Sequence, residues 1–268
     1  MDQKKGEGLM EETKVLDHGY LRVVETWGSD ERIIEAARMS TAKGFLGWGP
    51  KCTHCGLLES EKKDGWNNTC LEGHDFKGPG DEKLLAYLWN NQHATPFEMA
   101  GMIIEVQAPI FVFREWHRHR TQSYNELSAR YTPLPDVNYV PSIERLLMNA
   151  NGSNKQAGTV SDAAVLTHEG AMAYQLALKL QYKSAQDFYD LSLKGGVPKE
   201  LARVHLPVGR YSRMRASANL RNWLSFLTLR SEKNPGAQWE IRQFANALGV
   251  YIAKAFPQTW KLFVGDAA

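Results

Sequence analysis

Residues 116–131 read WHRHRTQSYNELSARY, and the rest of the chain is organised around this run. It holds Arg118, Arg120 and Arg130, His117 and His119, Gln122 and Asn125, Glu126, Ser123 and Ser128 within sixteen positions. An arginine guanidinium is planar, permanently charged and matches phosphate oxygens in pairs. Such a cluster invites a polyanion, and the amides and hydroxyls between the arginines suit a planar ring with polar edges. A merely solvated basic turn does not need those interleaved polar groups. The approach to the run is apolar: residues 101–107 (GMIIEVQ) read as a mostly buried strand, and Pro109 suits the first turn of a helix. Residues 110–116 (IFVFREW) continue apolar, so a packed element delivers the polar run.

Arg118-His119-Arg120, then seven intervening residues, then Ser128, resembles the signature of flavin-dependent thymidylate synthases. The resemblance extends through Asn125-Glu126-Leu127-Ser128-Ala129 to Arg130-Tyr131. It continues on both sides. Ala37-Arg38-Met39-Ser40 is similar to the family's Ala-Arg-x-Ser, at the end of a helix expected over 29–42 that Ser29 or Asp30 can cap. His93-Ala94-Thr95-Pro96-Phe97-Glu98 is similar to the family's His-x-Thr-Pro-Phe-Glu, after a helix expected over 81–92. Pro96 forces Thr95 toward extended geometry, so His93 and Thr95 fall at an element boundary. Met99 stands where the family usually carries a second histidine. Arg203, on a short helix opened by Pro198, lies in LARVHLP, similar to the family's Ala-Arg-x-x-Leu-Pro.

A helix is expected over 217–232, with Asn219 and Arg230 three turns apart and nearly in line. Asn219-Leu220-Arg221 resembles a flavin-contacting Asn-x-Arg, and Arg230 matches the arginine that polarises the uracil ring. Ser225 falls where the family carries a larger polar side chain, and Glu115 where it often carries glutamine.

The resemblance implies an α+β fold and one domain over residues 1–268, with a small sheet and insertions at 44–80 and 142–165. It implies a homotetramer with sites between subunits, and conversion of dUMP to dTMP. FAD is the implied cofactor, methylenetetrahydrofolate the carbon donor and NADPH the reductant. The implied dUMP residues are Arg118, Glu126, Leu127, Ser128, Ala129, Arg130, Arg203 and Arg230, with Arg230 catalytic. The implied FAD residues are Ser40, His93, Thr95, Arg118, His119, Arg120, Asn125, Glu126, Asn219, Leu220 and Arg221. The chemistry is consistent: the other class of thymidylate synthase uses a cysteine nucleophile, and here no cysteine lies near these motifs. Ser128 has no partner base at fixed spacing and reads as positional.

All three cysteines lie between positions 52 and 70, as Cys52-x2-Cys55, fourteen residues, then Cys70-x3-His74. Zinc prefers four thiolate or imidazole ligands supplied by two short-spaced pairs on turns. Gly56 and Gly73 allow tight turns beside the pairs. Three cysteines cannot close a disulfide framework. Cys52, Cys55, Cys70 and His74 are therefore expected to hold a structural zinc, with His54 the alternative fourth ligand; three unrelated thiols are the plainer reading.

The remaining features set bounds. A chain of 268 residues can bury a sizeable core. Hydrophobic content of 43% and charged content of 23% are those of a globular protein. A net charge of +2 counts against a nucleic-acid-binding protein, although a zinc knuckle with Tyr124 and Tyr131 as stacking groups would suit one. No apolar run approaches the ~18 residues of a membrane helix, and MDQKKGEGLMEETK lacks an apolar signal core. A cytoplasmic protein is expected. Residues 1–13 read as a loose tail and 132–165 as a polar connection. A long helix is expected over 161–193, with an apolar stripe of Ala173, Leu176, Leu180, Phe188 and Leu191 ending at Gly195-Gly196. A terminal helix is expected within residues 236–263.

Overall fold

The structure is a computed structural model, and it describes residues 12–61, 69–70, 72–148 and 166–265. The fold is α+β. Five strands form one sheet: β1 (Glu12–Val15), β2 (Gly19–Trp27), β3 (Gly101–Pro109), β4 (Ser123–Glu126) and β5 (Tyr211–Asn219). Their order is β1-β2-β3-β5-β4. β1 pairs antiparallel with β2, and β4 pairs antiparallel with β5. The helices are α1 (Asp30–Arg38), α2 (Glu82–Asn90), α3 (Ile110–Trp116), α4 (Ile143–Leu147), α5 (His168–Lys194), α6 (Lys199–Ala202), α7 (Leu220–Arg230), α8 (Trp239–Ala255) and α9 (Pro257–Val264). Much of the tail expected over 1–13 and of the connection over 132–165 lies outside the described residues. Among the described residues no helix is long and apolar enough to cross a membrane.

The chain forms two compact units. The first comprises residues 1–24, 103–217 and 226–248. Its core is aromatic: Trp116, fully buried, stacks on Phe226 at 4.6 Å and meets Phe244 edge-on at 6.3 Å. Across the middle strands the buried Glu105 of β3 accepts hydrogen bonds from Tyr20 and Arg22 of β2 and from Arg215 of β5. A single acceptor thus ties three strands, and three donors offset the cost of burying its charge.

Helix α5 departs from the usual pattern. Its inward side is Ala171, Gln175, Leu178, Tyr182, Ala185 and Tyr189, spaced three or four apart. Tyr182 donates to the Tyr139 carbonyl at 3.0 Å and Gln175 to the Pro141 carbonyl at 2.6 Å. The expected apolar stripe points outward instead: Leu176, Leu180, Phe188 and Leu191 are 56–67% exposed.

The second unit comprises residues 25–102, 218–225 and 249–268. Ile33 and Ile34 of α1 are fully buried. Ser29 caps α1, its hydroxyl accepting the Arg32 N–H. Asp30, the alternative cap, serves another helix. Its carboxylate accepts the N–H groups of Gln258 and Thr259 and the Thr259 hydroxyl, in the first turn of α9. Negative charge there complements the helix dipole.

Several boundaries differ from expectation. The helix expected from 161 begins at His168, capped by Thr167, and the expected polar connection over 132–165 contains α4. The helix expected from 217 begins at Leu220, because residues 217–219 continue β5. The expected terminal helix is two helices: α8 ends at Ala255, and Pro257, which favours a first helical turn, opens α9.

Candidate active site

The Trp116–Tyr131 run leaves α3, makes a tight turn over residues 117–122 around its own polar atoms, and continues through β4. Tyr124 donates its hydroxyl to the carbonyls of Trp116 at 3.1 Å and His119 at 2.7 Å. Burial pushes that phenol up to about 12, so it remains a donor. Gln122 is buried, and its carbonyl accepts the Trp116 indole N–H at 3.1 Å. It supports the turn rather than reading a ring. β4 then pairs with β5 in the register Asn125↔Arg215 and Glu126↔Met214.

Arg230, last residue of α7, is held against this turn. Its Nε donates to His119 Nε2 at 3.0 Å, Nη1 to Glu115 Oε2 at 2.7 Å, and Nη2 to the Glu115 carbonyl at 3.4 Å. His119 must therefore present a bare Nε2 and carry its proton on Nδ1. Burial first, and the Arg230 charge second, push the His119 imidazole down to about 4. Of the five guanidinium N–H groups, these three bonds leave two for a further acceptor. Glu115 is the partner that the residue types did not assign, since Arg230 lies 115 residues away in sequence.

Arg118 and Arg120 are exposed, and among the described residues their side chains have no partner. Arg203 is half-buried in the 3₁₀ turn Arg203–His205 and is likewise unpaired among the described residues. Arg130 is not free. Its Nε meets Glu200 Oε2 at 3.2 Å, with both side chains more than half exposed. An exposed pair of this kind contributes only ~0–1 kcal/mol, so an incoming anion displaces it easily. Ser128 Oγ accepts the Arg130 N–H at 3.3 Å, Leu127 N–H binds the Arg213 carbonyl at 2.8 Å, and Ala129 is buried. Asn125 is exposed and Glu126 half-buried.

The second unit holds the other motif residues. A cavity of about 380 Å³ is lined by Ala36, Ala37, His93, Thr95, Pro96 and Met99, among others. The Ala37–Ser40 and His93–Glu98 segments thus meet at one concave surface. Ser40 sits exposed on the 3₁₀ turn Met39–Thr41, its hydroxyl bound at 3.4 Å to the Ala37 carbonyl. Asn219 accepts the Asn222 N–H at 3.0 Å and so caps α7. Leu220 is buried, and Arg221 pairs with Glu98 at 2.5 Å, tying α7 to the His93–Glu98 segment.

The cysteines gather as expected. The Sγ atoms of Cys52, Cys55 and Cys70 lie within 4.8 Å of one another. The Cys55 and His54 N–H groups point at Cys52 Sγ at 3.5 and 3.4 Å. The Cys55 N–H is the first cause, the His54 N–H a further one, of a Cys52 thiol drawn down to about 7.

A guanidinium with spare donors fixed beside a neutral histidine, with further arginines free on the same unit, defines a protein that handles a phosphorylated, ring-bearing anion. Comparison with known proteins agrees. Residues 22–258 match the family described as Thymidylate synthase complementing protein. A flavin-dependent thymidylate synthase of Thermus thermophilus is 36% identical over 249 residues, covering 93% of this chain and 77% of the relative. One of Wolbachia pipientis is 32% identical over 263 residues, covering 96% and 77%. A crystal structure of a UMP/dUMP methylase from Streptomyces cacaoi, bound with 5-Br UMP, superposes with a TM-score of 0.69 at 28% identity. That match covers 94% of this chain and 96% of the other. The chain belongs to the flavin-dependent thymidylate synthase family.

Proposed function

We propose that this protein converts dUMP to dTMP by reductive methylation, with bound FAD, methylenetetrahydrofolate as carbon donor and NADPH as reductant. The observation that carries this reading is Arg230, fixed between His119 and Glu115 with two N–H groups to spare. A cation so placed stabilises negative charge as it develops on the uracil ring, and it does so without reorganising. His119, being neutral, adds no competing charge. Arg118, Arg130 and Arg203 take the phosphates, and Glu126, Leu127, Ser128 and Ala129 shape the nucleotide site beside them.

A flavin fits the residues present. The cavity carries the exposed His93 and Thr95 on an otherwise small and apolar lining, as a ring system with polar edges requires. Ser40, Asn219, Leu220 and Arg221 of the same unit are further groups assigned to it, and the family resemblance assigns Arg118, His119, Arg120 and Asn125 of the first unit to flavin as well. When bound, the flavin supplies the reducing electrons, which removes the need for a cysteine nucleophile. All three cysteines are elsewhere, in the 44–80 insertion. Family membership and the modest net charge weigh against the nucleic-acid-binding reading.

Two assembly statements belong to the same reading. The two units form one family domain, because the family match runs from 22 to 258 through both sets of residues. The chain is a homotetramer, because the outward stripe Leu176, Leu180, Phe188 and Leu191 leaves an apolar face that a second copy would cover. Sedimentation of the purified chain with added FAD tests cofactor and assembly together. Flavin absorbance should travel with a species of four chains, and Leu176→Asp with Leu180→Asp should shift it to smaller species. A flavin-free monomer would contradict both.

A further inference from the structure

The 44–80 insertion carries chemistry that thymidylate synthesis does not use. Among its described residues, the only buried side chains are those of Cys52 and Cys70, 1% and 4% exposed. Among the described residues no other apolar side chain of the segment is buried. Its buried centre is a group of sulfurs, and next to it Lys51 and Gly78 pair across a bridge.

Two turns build that centre in the same way. In the first, the Gly56 N–H closes on the Cys52 carbonyl at 3.1 Å, with Gly56 at φ +75°. In the second, the Gly73 N–H closes on the Cys70 carbonyl at 2.9 Å, with Gly73 at φ +78°. That left-handed backbone suits glycine. Each turn brings its flanking pair together: Cys52 with Cys55, and Cys70 with His74. The bridge Thr69↔Asp75 closes the arms of the second turn, and Lys51↔Gly78 joins the start of the first turn to the chain leaving the second.

We propose that Cys52, Cys55, Cys70 and His74 hold one structural zinc ion. The three sulfurs are spaced for one ion, and His74, whose ring nitrogens fall outside that 4.8 Å group, adjoins it through Cys70. Cys52 Sγ and Cys70 Sγ are 3.5 Å apart, and Cys70 Sγ and His74 Nδ1 are 3.7 Å apart. A tetrahedral zinc with Zn–S of ~2.3 Å and Zn–N of ~2.0–2.1 Å sets its ligands on edges of ~3.5–3.8 Å. A disulfide instead needs sulfurs at ~2.05 Å. The structure also chooses between the histidines. His74 Nδ1 faces Cys70 Sγ at 3.7 Å and Glu72 Oε2 at 3.6 Å, whereas the His54 ring stacks on the His74 ring with centroids 4.0 Å apart. His54 therefore packs against the ligand rather than acting as one. Four protein donors leave no open position, so the ion is structural and not catalytic. Where the described residues bury so little apolar surface, metal-binding free energy becomes folding free energy.

The experiment uses the full-length protein, purified without chelator. Elemental analysis should find about one zinc per chain, and X-ray absorption should find three sulfur neighbours and one nitrogen at the distances above. Cys52→Ser with Cys55→Ser should bring zinc close to zero. His74→Ala should release zinc to a chromophoric chelator faster than wild type, and His54→Ala should not. Circular dichroism of each variant separates metal loss from global unfolding. Three results would overturn the proposal: protein that takes up no zinc after incubation with zinc chloride and reductant, iron in place of zinc, or a Cys52–Cys70 disulfide. Zinc retained by His74→Ala and lost by His54→Ala would overturn the ligand set. None of these readouts depends on dTMP formation, so the proposal stands or falls separately from the enzymatic one.

Discussion

The Trp116–Tyr131 run and the described part of the 44–80 segment are both polar stretches of backbone held in fixed shapes, but by different forces. The turn leans on a finished core: Trp116 is fully buried against Phe226, and the polar atoms of Tyr124 and Gln122 close the loop above it. The insertion has no such support. Its described contacts include the sulfur cluster, hydrogen bonds from Trp48 to Glu31 and from Gly49 to Glu82, and a buried charge pair in which Arg38 binds Asp81 while Asp81 accepts the Leu46 and Gly47 N–H groups. Charged side chains in the turn can therefore be left spare for a ligand, whereas nearly every strong polar group at the root of the insertion is spent on structure.

Removing charge from each region should then give opposite results. Arg38→Ala strands the Asp81 carboxylate, only 1% exposed, and leaving such a partner buried costs ~3–5 kcal/mol. The melting temperature should fall sharply; an unchanged melting temperature would show that the pair does not anchor the insertion. Arg230→Ala should instead leave the fold and FAD binding intact and cut turnover. One charge-assisted hydrogen bond is worth roughly 1.5–3 kcal/mol, which corresponds to about a tenfold loss or more if it acts in the transition state. Unchanged turnover would refute its assignment. Arg203→Ala and Arg130→Ala should weaken dUMP binding with little effect on melting. Glu200→Ala should not weaken it, since Glu200 only occupies Arg130 in the absence of an anion. Isotherms that overlay wild type for both arginine variants would contradict the phosphate assignment.

The smallest effect concerns pH. His119 is depressed from 6.5 to about 4, so the folded state favours its neutral form. Its contribution to stability is complete above pH 6.5 and is lost as pH falls from there toward 4. His119→Gln, which keeps an acceptor for Arg230, should flatten the loss of melting temperature across that window. Parallel melting profiles for variant and wild type would show that His119 is not desolvated as described.

The site motifs were legible in the sequence because fixed spacing carries them, and the turn and the cysteine cluster formed where the residues indicated. Three features were not. β5 alternates buried Ser212, Met214, Ala216 and Ala218 with exposed Arg213 and Arg215, a strand made of weak strand formers. Its pairing with β4 overrides local preference, which is why residues 217–219 read as helix. The α5 stripe showed where apolar residues lie but not which side is inward. Tyr182, Gln175 and Tyr189 pack inward through hydrogen bonds and ring area, and Leu176, Leu180 and Leu191 are left outside. Glu115 could not be assigned, because its role exists only once Arg230, more than a hundred residues later, is folded against it.

Arg230 and its neighbours are assigned here to making dTMP without a cysteine nucleophile. Product analysis under anaerobic conditions checks this, with FAD-saturated protein, dUMP, methylenetetrahydrofolate and NADPH. Formation of dTMP should depend on each component and persist in Cys52→Ser with Cys55→Ser, provided that variant still binds FAD. No dTMP from flavin-saturated, folded wild-type protein would contradict the assignment.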